Sequence, residues 1–348
     1  MESDKIAKKT AGTAPVRRAQ SVRRTSTIDT HWPEEYQEDY HKPMQLVGRA
    51  RDIFTDKPQN TPRLLAEDKV TILASSQREI LAITSQPPRP QIEKLIGCRA
   101  GKQLRAAISD ALPDEAAQGT PLHLLLDDMA GASLVAFWAW SQWPDEKARL
   151  MAEQKDKTQK DKTENNYLRR RVVGVCTGFA PGAPSLNEDG SAKIGMSSSA
   201  PATSLINPQD PHGWHEIKEQ TTLAARRARW IDIWRADEKD ELAIETGFQD
   251  SATRPDGGRQ AVHEYRILAQ VRADNFELTQ LHIDPRILPY SSCLAAPRQA
   301  NIMLGKPLSD FRSQVLTHLR GVKGCTHLND MLRDLAEVPL LARQAGLV

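Results

Sequence analysis

Cys293, Cys325 and His327 stand out first, because thiols beside an imidazole can bind a soft metal or move a proton. Cys293 follows Pro289-Tyr290 at a step from strand-like into helix-like sequence. Cys325 and His327 flank Thr326 after Gly321 and Gly324, again where a helix begins. A thiol at a helix N-terminus has its thiolate stabilised by the unpaired amides and the dipole there. Two such thiols and an imidazole suit zinc or iron, and His263 can supply a fourth ligand. C-x-H is not a standard zinc spacing and no CxxC is present, so a metal-free cluster and a purely structural role for buried thiols stand beside the metal reading. The cofactor expectation is accordingly none, zinc or iron.

Metal-free chemistry would use neighbouring groups. His263 is a candidate general base, since an unperturbed imidazole titrates near neutrality. Tyr265, two residues on along a strand, shares its side and can donate to a developing oxyanion. Arg226, Arg227 and Arg229 carry forked donors that match a carboxylate or phenolate, with Asp232 and Asp250 to orient them. Structural ion pairs across strands explain the same residues. Trp230 and Trp234 lie four apart on one strand, hence on one face. With Arg24 and His31 they are candidate substrate contacts, as Trp138, Trp140 and Trp143 are candidate walls for a flat apolar ligand. A core role is the alternative for all five tryptophans.

Two blocks of the chain carry these groups, about 21–143 and 214–348, and they resemble each other. Arg23-Arg24-Thr25-Ser26-Thr27-Ile28-Asp29 and Arg226-Arg227-Ala228-Arg229-Trp230-Ile231-Asp232 share RRxxxID. Gly48 with Asp52 then answers Gly247 with Asp250. Val70–Ala74 answers Tyr265–Ala269, and Leu95-Ile96-Gly97 answers Met303-Leu304-Gly305. Gly119-Thr120-Pro121-Leu122-His123 stands opposite Gly324-Cys325-Thr326-His327-Leu328. This shared order argues for duplication. Each copy reads as four strands followed by helices. In the second they fall near Trp230–Arg235, Leu242–Phe248, Val262–Val271 and Glu277–Ile283. Helical patterns follow over Ala295–Leu304, Leu308–Leu319 and Asn329–Leu341. The fold class expected is α+β, with two divergent copies of an antiparallel sheet covered by helices on one face. Thr120 opposite Cys325 means the first copy cannot repeat the second's thiol chemistry. Residues 1–20 read as a disordered tail. Residues 144–213 read as a charged helix or linker, then a Pro/Gly/Ser-rich stretch from Thr177 to Gly213 that is a linker or a loop covering a site.

Composition narrows the function classes. The 348 residues carry a formal net charge of +2, so no basic field argues for nucleic acid. Arginines cluster at Arg17-Arg18 and Arg169-Arg170-Arg171 without a nucleic-acid-binding signature. The apolar run Ala130–Trp143 is too short to span a bilayer. The four cysteines Cys98, Cys176, Cys293 and Cys325 form no disulfide framework, which suggests a reducing, cytoplasmic setting.

The segments VRRTSTIDTHWPE, GRARDIFT, LIGCRAGKQLRAAI, GTPLHLLLDD, VHEYRILAQV, LPYSSC and GCTHLNDMLRDLAEVP resemble the bacterial family called DUF2889. Its name implies no activity; the association of its members with catabolic genes for aromatic or steroid-like compounds implies a small apolar substrate. The order Cys293, Leu304-Gly305-Lys306-Pro307-Leu308, Cys325 is similar, at fold level, to U-type iron–sulfur scaffold proteins, which use three cysteines where two are seen here. The expected function is an enzyme acting on a small aromatic or apolar molecule in bacterial catabolism, a lyase or isomerase using acid–base chemistry. The alternative is a metal or iron–sulfur binding protein using Cys293, Cys325 and His327. The expected partner is a small molecule rather than a membrane or nucleic acid, and a homo-oligomer is compatible with the sequence.

Overall fold

In the computed structural model, residues 10, 12–36, 39–155, 170–195, 197–237 and 240–348 are described. The first half runs β1 (Ser21–His31), β2 (Met44–Thr55), β3 (Arg63–Ala74) and β4 (Ile80–Gln86), then α1 (Lys102–Ala111), α2 (Pro113–Gln118) and α3 (Pro121–Trp140). α4 (Pro144–Lys155) and the short β5 (Ala200–Pro201) belong to the connection. The second half runs β6 (Ala224–Arg235), β7 (Glu241–Thr253), β8 (Arg259–Arg272) and β9 (Leu278–Ile287). It ends in α5 (Ala296–Gln299), α6 (Phe311–His318), α7 (Thr326–Asp334) and α8 (Val338–Gln344). The α+β class holds, but the strands form one continuous antiparallel sheet. Its order is β4-β3-β2-β1-β6-β7-β8, with β5 and β9 both paired to β8.

The two halves meet at β1 and β6, where Ser26 sits opposite Arg229. Each half departs from regular pairing at matching places. One bulge leaves Leu65 unpaired in β3 and Val262 unpaired in β8, next to Asp52 and Asp250. A second falls at Leu73/Ala74 in β3 and at Gln270/Val271 in β8. Bulges re-aim the side chains beside them. The residue opposite Asp52 is Ala66, whereas the one opposite Asp250 is His263.

Antiparallel pairing explains what the repeated RRxxxID does. The first arginine of each motif lies opposite the aspartate of the other. Arg23 clamps Asp232 through two bonds of 2.6 Å, and Arg226 clamps Asp29 at 2.6 and 3.1 Å. The second arginine points to the other face and clamps the aspartate of the adjacent strand in its own half. Arg24 holds Asp52 at 2.6 Å, and Arg227 holds Asp250 at 3.0 Å. All eight side chains are buried. Paired charges with bidentate geometry are the form in which burial is tolerated. This polar seam separates two apolar cores, one of each half.

Among the described residues, the helices lie on one face of the sheet. α3 packs across β1, β2, β6 and β7. By length and composition it is apolar enough to cross a membrane, but 78% of its most apolar window is buried inside the fold. The opposite face of β1 and β6 is covered too, by residues 203–218 and the N-terminal stretch. His215 bridges Thr25 and Thr27 at 2.9 and 2.8 Å, and Trp214 packs with Ala14, Ala228 and Trp230. The disordered tail expected over 1–20 is therefore corrected for 12–20: Ala14 and Arg17 are buried, and Arg17 binds Asp210 at 2.9 Å. Residues 1–9, 11 and 156–169 lie outside the described residues.

Gly131 of α3 is the residue against which the Arg227 guanidinium packs; a Cβ there would overlap it. Gly131→Ala gains about 1 kcal/mol of helix propensity but forces a buried ion pair apart, which costs about 3–5 kcal/mol. The expected outcome is a net loss of about 2–4 kcal/mol in denaturant unfolding, whereas an unchanged midpoint would contradict this packing.

Candidate functional site

The bulge at Val262 turns the start of β8 toward the N-terminal end of α7. There the His263 and His327 rings stack, centroids 3.5 Å apart and 20° from parallel. Both histidines are buried. His327 Nε2 lies 3.5 Å from Asp250 Oδ2, which favours the tautomer with its proton on Nε2. His327 Nδ1 is then an acceptor, 3.3 Å from the Thr326 hydroxyl and 3.9 Å from Cys325 Sγ. His263 Nδ1 is buried and, among the described residues, has no hydrogen-bond partner. Burial first, and then neighbouring groups that oppose a second positive charge, hold both imidazoles neutral, their titration well below the usual range; for His263 these are the adjoining His327 ring and Arg227, for His327 they are Arg227 and Arg229.

Cysteines complete the cluster. Cys325 occupies the N-cap of α7, and Cys293 lies in the 3-10 turn Ser291–Ala295 after β9. Cys176, which the sequence did not single out, joins them from the connection. Its segment is tied down where Thr177 N and Thr177 Oγ1 donate to Gly324 O at 2.9 and 3.0 Å. A Cβ on Gly178 would lie 2.9 Å from Cys293 Sγ and 3.6 Å from Cys176 Sγ, so glycine is needed for this approach. The expected thiolates are corrected. Desolvation pushes Cys325 up although the amides of Leu328 and His327 donate to it. Desolvation likewise raises Cys293, and Cys176 to about 11. All three are neutral thiols at physiological pH.

These groups form one end of a cavity of about 260 Å³. Its walls are Leu134, Phe137 and Trp138 of α3, Leu150 of α4, and Val172, Val175 and Phe179 of the connection. The connection is fastened across the opening by Trp138 Nε1 to Ser197 Oγ at 2.9 Å and Ser198 N to Pro289 O at 2.8 Å. The Thr177–Gly213 stretch is thus in part a cover, and the cavity draws on both halves.

Several expected site residues lie elsewhere. Arg227 and Arg229 are locked to carboxylates: Arg227 to Asp250, Asp128 and Asp330, Arg229 to Asp128 and Asp334. They set the field under the imidazoles rather than meet a ligand. Asp232 and Trp230 face the other side of the sheet, and Trp234 there stacks under Arg18 at 4.3 Å. Arg24 is held by Asp52 and Glu337. His31, at the end of β1, does not line the cavity. Tyr265 is fully buried behind the thiols, its hydroxyl against Cys325 and raised by burial first. It does not line the cavity, so the oxyanion role is corrected. Asp250, His263 and His327 converge closely enough to suggest a metal triad. Ring geometry argues against it: a metal lies in the plane of each imidazole it binds, and stacked planes offer no shared point nearby.

Residues 225–341 match the family described as "Protein of unknown function (DUF2889)". Over this stretch the chain is similar to that family. The DUF2889 stretch contains Asp250, His263, Tyr265, Cys293, Cys325 and His327 and leaves Cys176 outside. No curated protein and no solved structure matches the chain.

The neutral imidazoles make stability pH-dependent. Unfolded imidazoles protonate near pH 6.5 while the folded pair does not, so the unfolded state takes up protons as pH falls and stability drops below about pH 6.5. His215, lowered by burial to about 3, adds to the same arm. Each such group is worth about 1.4 kcal/mol per pH unit. Urea unfolding between pH 7 and pH 5 should show a steeper loss in the wild type than in His263→Asn/His327→Asn; equal slopes would contradict the neutral pair.

Proposed function

We propose that the chain is an enzyme that takes a small, largely apolar molecule into this cavity and moves a proton on it, as lyases and isomerases do. The observation that carries the reading is the stacked His263–His327 pair at the inner end of a cavity whose walls are largely apolar, with His263 Nδ1 buried and, among the described residues, unpartnered. A buried polar atom without a partner is costly, and a contact made by a ligand is one way to supply what is missing. At about 260 Å³ the space falls just under the range of drug-sized ligand pockets, so the molecule is small.

Each residue has a distinct part. His263 accepts the proton, and its ring stacks on His327, which stays neutral. Asp250, clamped by Arg227, fixes the His327 tautomer. Thr326 and Cys325 stand beside His327 Nδ1, and the Cys325 thiol stays protonated while His263 returns the proton it accepted. The Val172–Phe179 cover and the apolar walls exclude water. In an isomerisation one C–H bond breaks and another forms, and the imidazole ends neutral. Substrates of the aromatic or alicyclic type fit the walls.

The test needs no product in hand. The protein is incubated in D2O with a panel of small aromatic and alicyclic acids and ketones, and deuterium uptake is followed by mass spectrometry. Loss of a general base lowers such a rate by about 10²–10⁴-fold, so His263→Gln should lose uptake by at least about a hundredfold. Wild-type uptake in His263→Gln overturns the role.

One observation bears on a second reading, a thiol metal centre: Cys176, Cys293 and Cys325 line the same cavity, although among the described residues their sulfurs do not converge closely enough to share one ion. Thiols this firmly protonated would release protons on binding a soft metal. Elemental analysis of purified protein decides it. About one equivalent of zinc or iron, lost in Cys176→Ser, supports the centre; under about a tenth removes it.

A further inference from the structure

The cavity has a charge pattern that its apolar walls do not require. Every charged residue that lines it, among the described residues, is a cation: Arg78, Lys193 and Arg170. Arg170 is exposed and the other two are half-buried, whereas His263 and His327 are buried, so the cations lie toward solvent and the imidazoles at the inner end. Neither Lys193 nor Arg170 makes an ion pair among the described residues. Arg78 donates to Ala130 O of α3 at 3.3 Å. It sits in the β3–β4 turn at φ 64°, a left-handed conformation that glycine or asparagine adopts more cheaply. A long cationic side chain there is a departure from turn chemistry and projects to the cavity wall.

We infer that the ligand is a small apolar carboxylate, its anionic end held by Lys193 and Arg170 and its apolar body reaching the His263–His327 pair. This rests on the reading of the cavity as a ligand site and adds the substrate class. Cations at the edge of an apolar cavity are partly desolvated, and an anion restores what they lose. The charged groups facing the imidazoles from below are Arg227 and Arg229, already matched by Asp250, Asp128, Asp330 and Asp334. An incoming anion therefore meets no unmatched carboxylate among the lining residues. Its charge also favours proton uptake by His263, which the empty cavity opposes. The carboxylate role thus passes from Arg226, Arg227 and Arg229, which the fold consumes, to the rim.

The test compares charged and neutral isosteres on the full chain. Phenylacetate, 4-phenylbutyrate and cyclohexylacetate are titrated against their primary amides by calorimetry and by tryptophan fluorescence. The carboxylates should bind at least about tenfold more tightly than the amides at low salt, and should weaken several-fold between about 20 and about 200 mM NaCl while the amides do not. Lys193→Met, which keeps the side-chain length, should cut the acid-over-amide preference about fivefold or more, and Arg170→Met should cut it less because its head is solvated. Amides that bind as well as the acids overturn the carboxylate assignment and leave the cavity reading standing. A series in which neither form binds overturns both.

Discussion

Four bidentate guanidinium–carboxylate pairs at the centre of the sheet are the constraint on which the rest of the structure depends. Arg23–Asp232 and Arg226–Asp29 join the halves on one face; Arg24–Asp52 and Arg227–Asp250 bind adjacent strands on the other. A one-residue slip between β1 and β6 would move Arg23 and Asp29 away from Asp232 and Arg226 and leave these charges buried and unpaired. The seam therefore fixes register where the two apolar cores, lying on either side, cannot. It also reaches the candidate site directly: Arg227 grips Asp250, and Asp250 lies under His327.

That link gives the site its character. Below the inner end the ionised groups are each matched, and the groups that line it are neutral imidazoles and thiols. Low polarity strengthens any charge that a ligand brings in. The two halves contribute unequally. The second supplies His263, Cys293, Cys325 and His327, while the first supplies α3 as a wall. At the position of His263 the first half has Ala66, and where Cys325 begins α7 it has Thr120, which caps α3 by accepting from His123 N at 3.2 Å. One half bears reactive groups and the other encloses them.

Much of this was legible in the chain, and the failures have physical causes. RRxxxID could be read as a repeat, but its meaning needs two copies laid antiparallel, which no local pattern reveals. Arg227, Arg229, Asp232 and Asp250 have the composition of a catalytic cluster because structural and catalytic ion pairs use the same residues; only their burial and mutual pairing separate the two uses. Gly48 and Gly247 looked equivalent, yet they stand one register position apart. Gly48 makes room for Val70 and for Leu125 of α3, and Gly247 for the Trp230 indole. The four strands of the second half were visible from alternation, whereas Ala295–Leu304, expected as one helix, breaks into short turns around α5. His263 and the two helix-start thiols were drawn together correctly from residue type. Cys176 was not, because its position depends on a long cover whose path is set by tertiary contacts; the signal available was a cysteine framed by Gly174 and Gly178 in a segment too long for a turn.

The most direct measurement is a ¹⁵N histidine spectrum recorded at pH 6 while a small apolar carboxylate is added. His263 and His327 should begin as neutral imidazoles and shift together as the cavity fills, with His263 moving toward the protonated form. His215, equally buried on the far face of the sheet, should stay where it is. Movement of all three alike, or of none while the ligand binds, would contradict a site built on the His263–His327 pair.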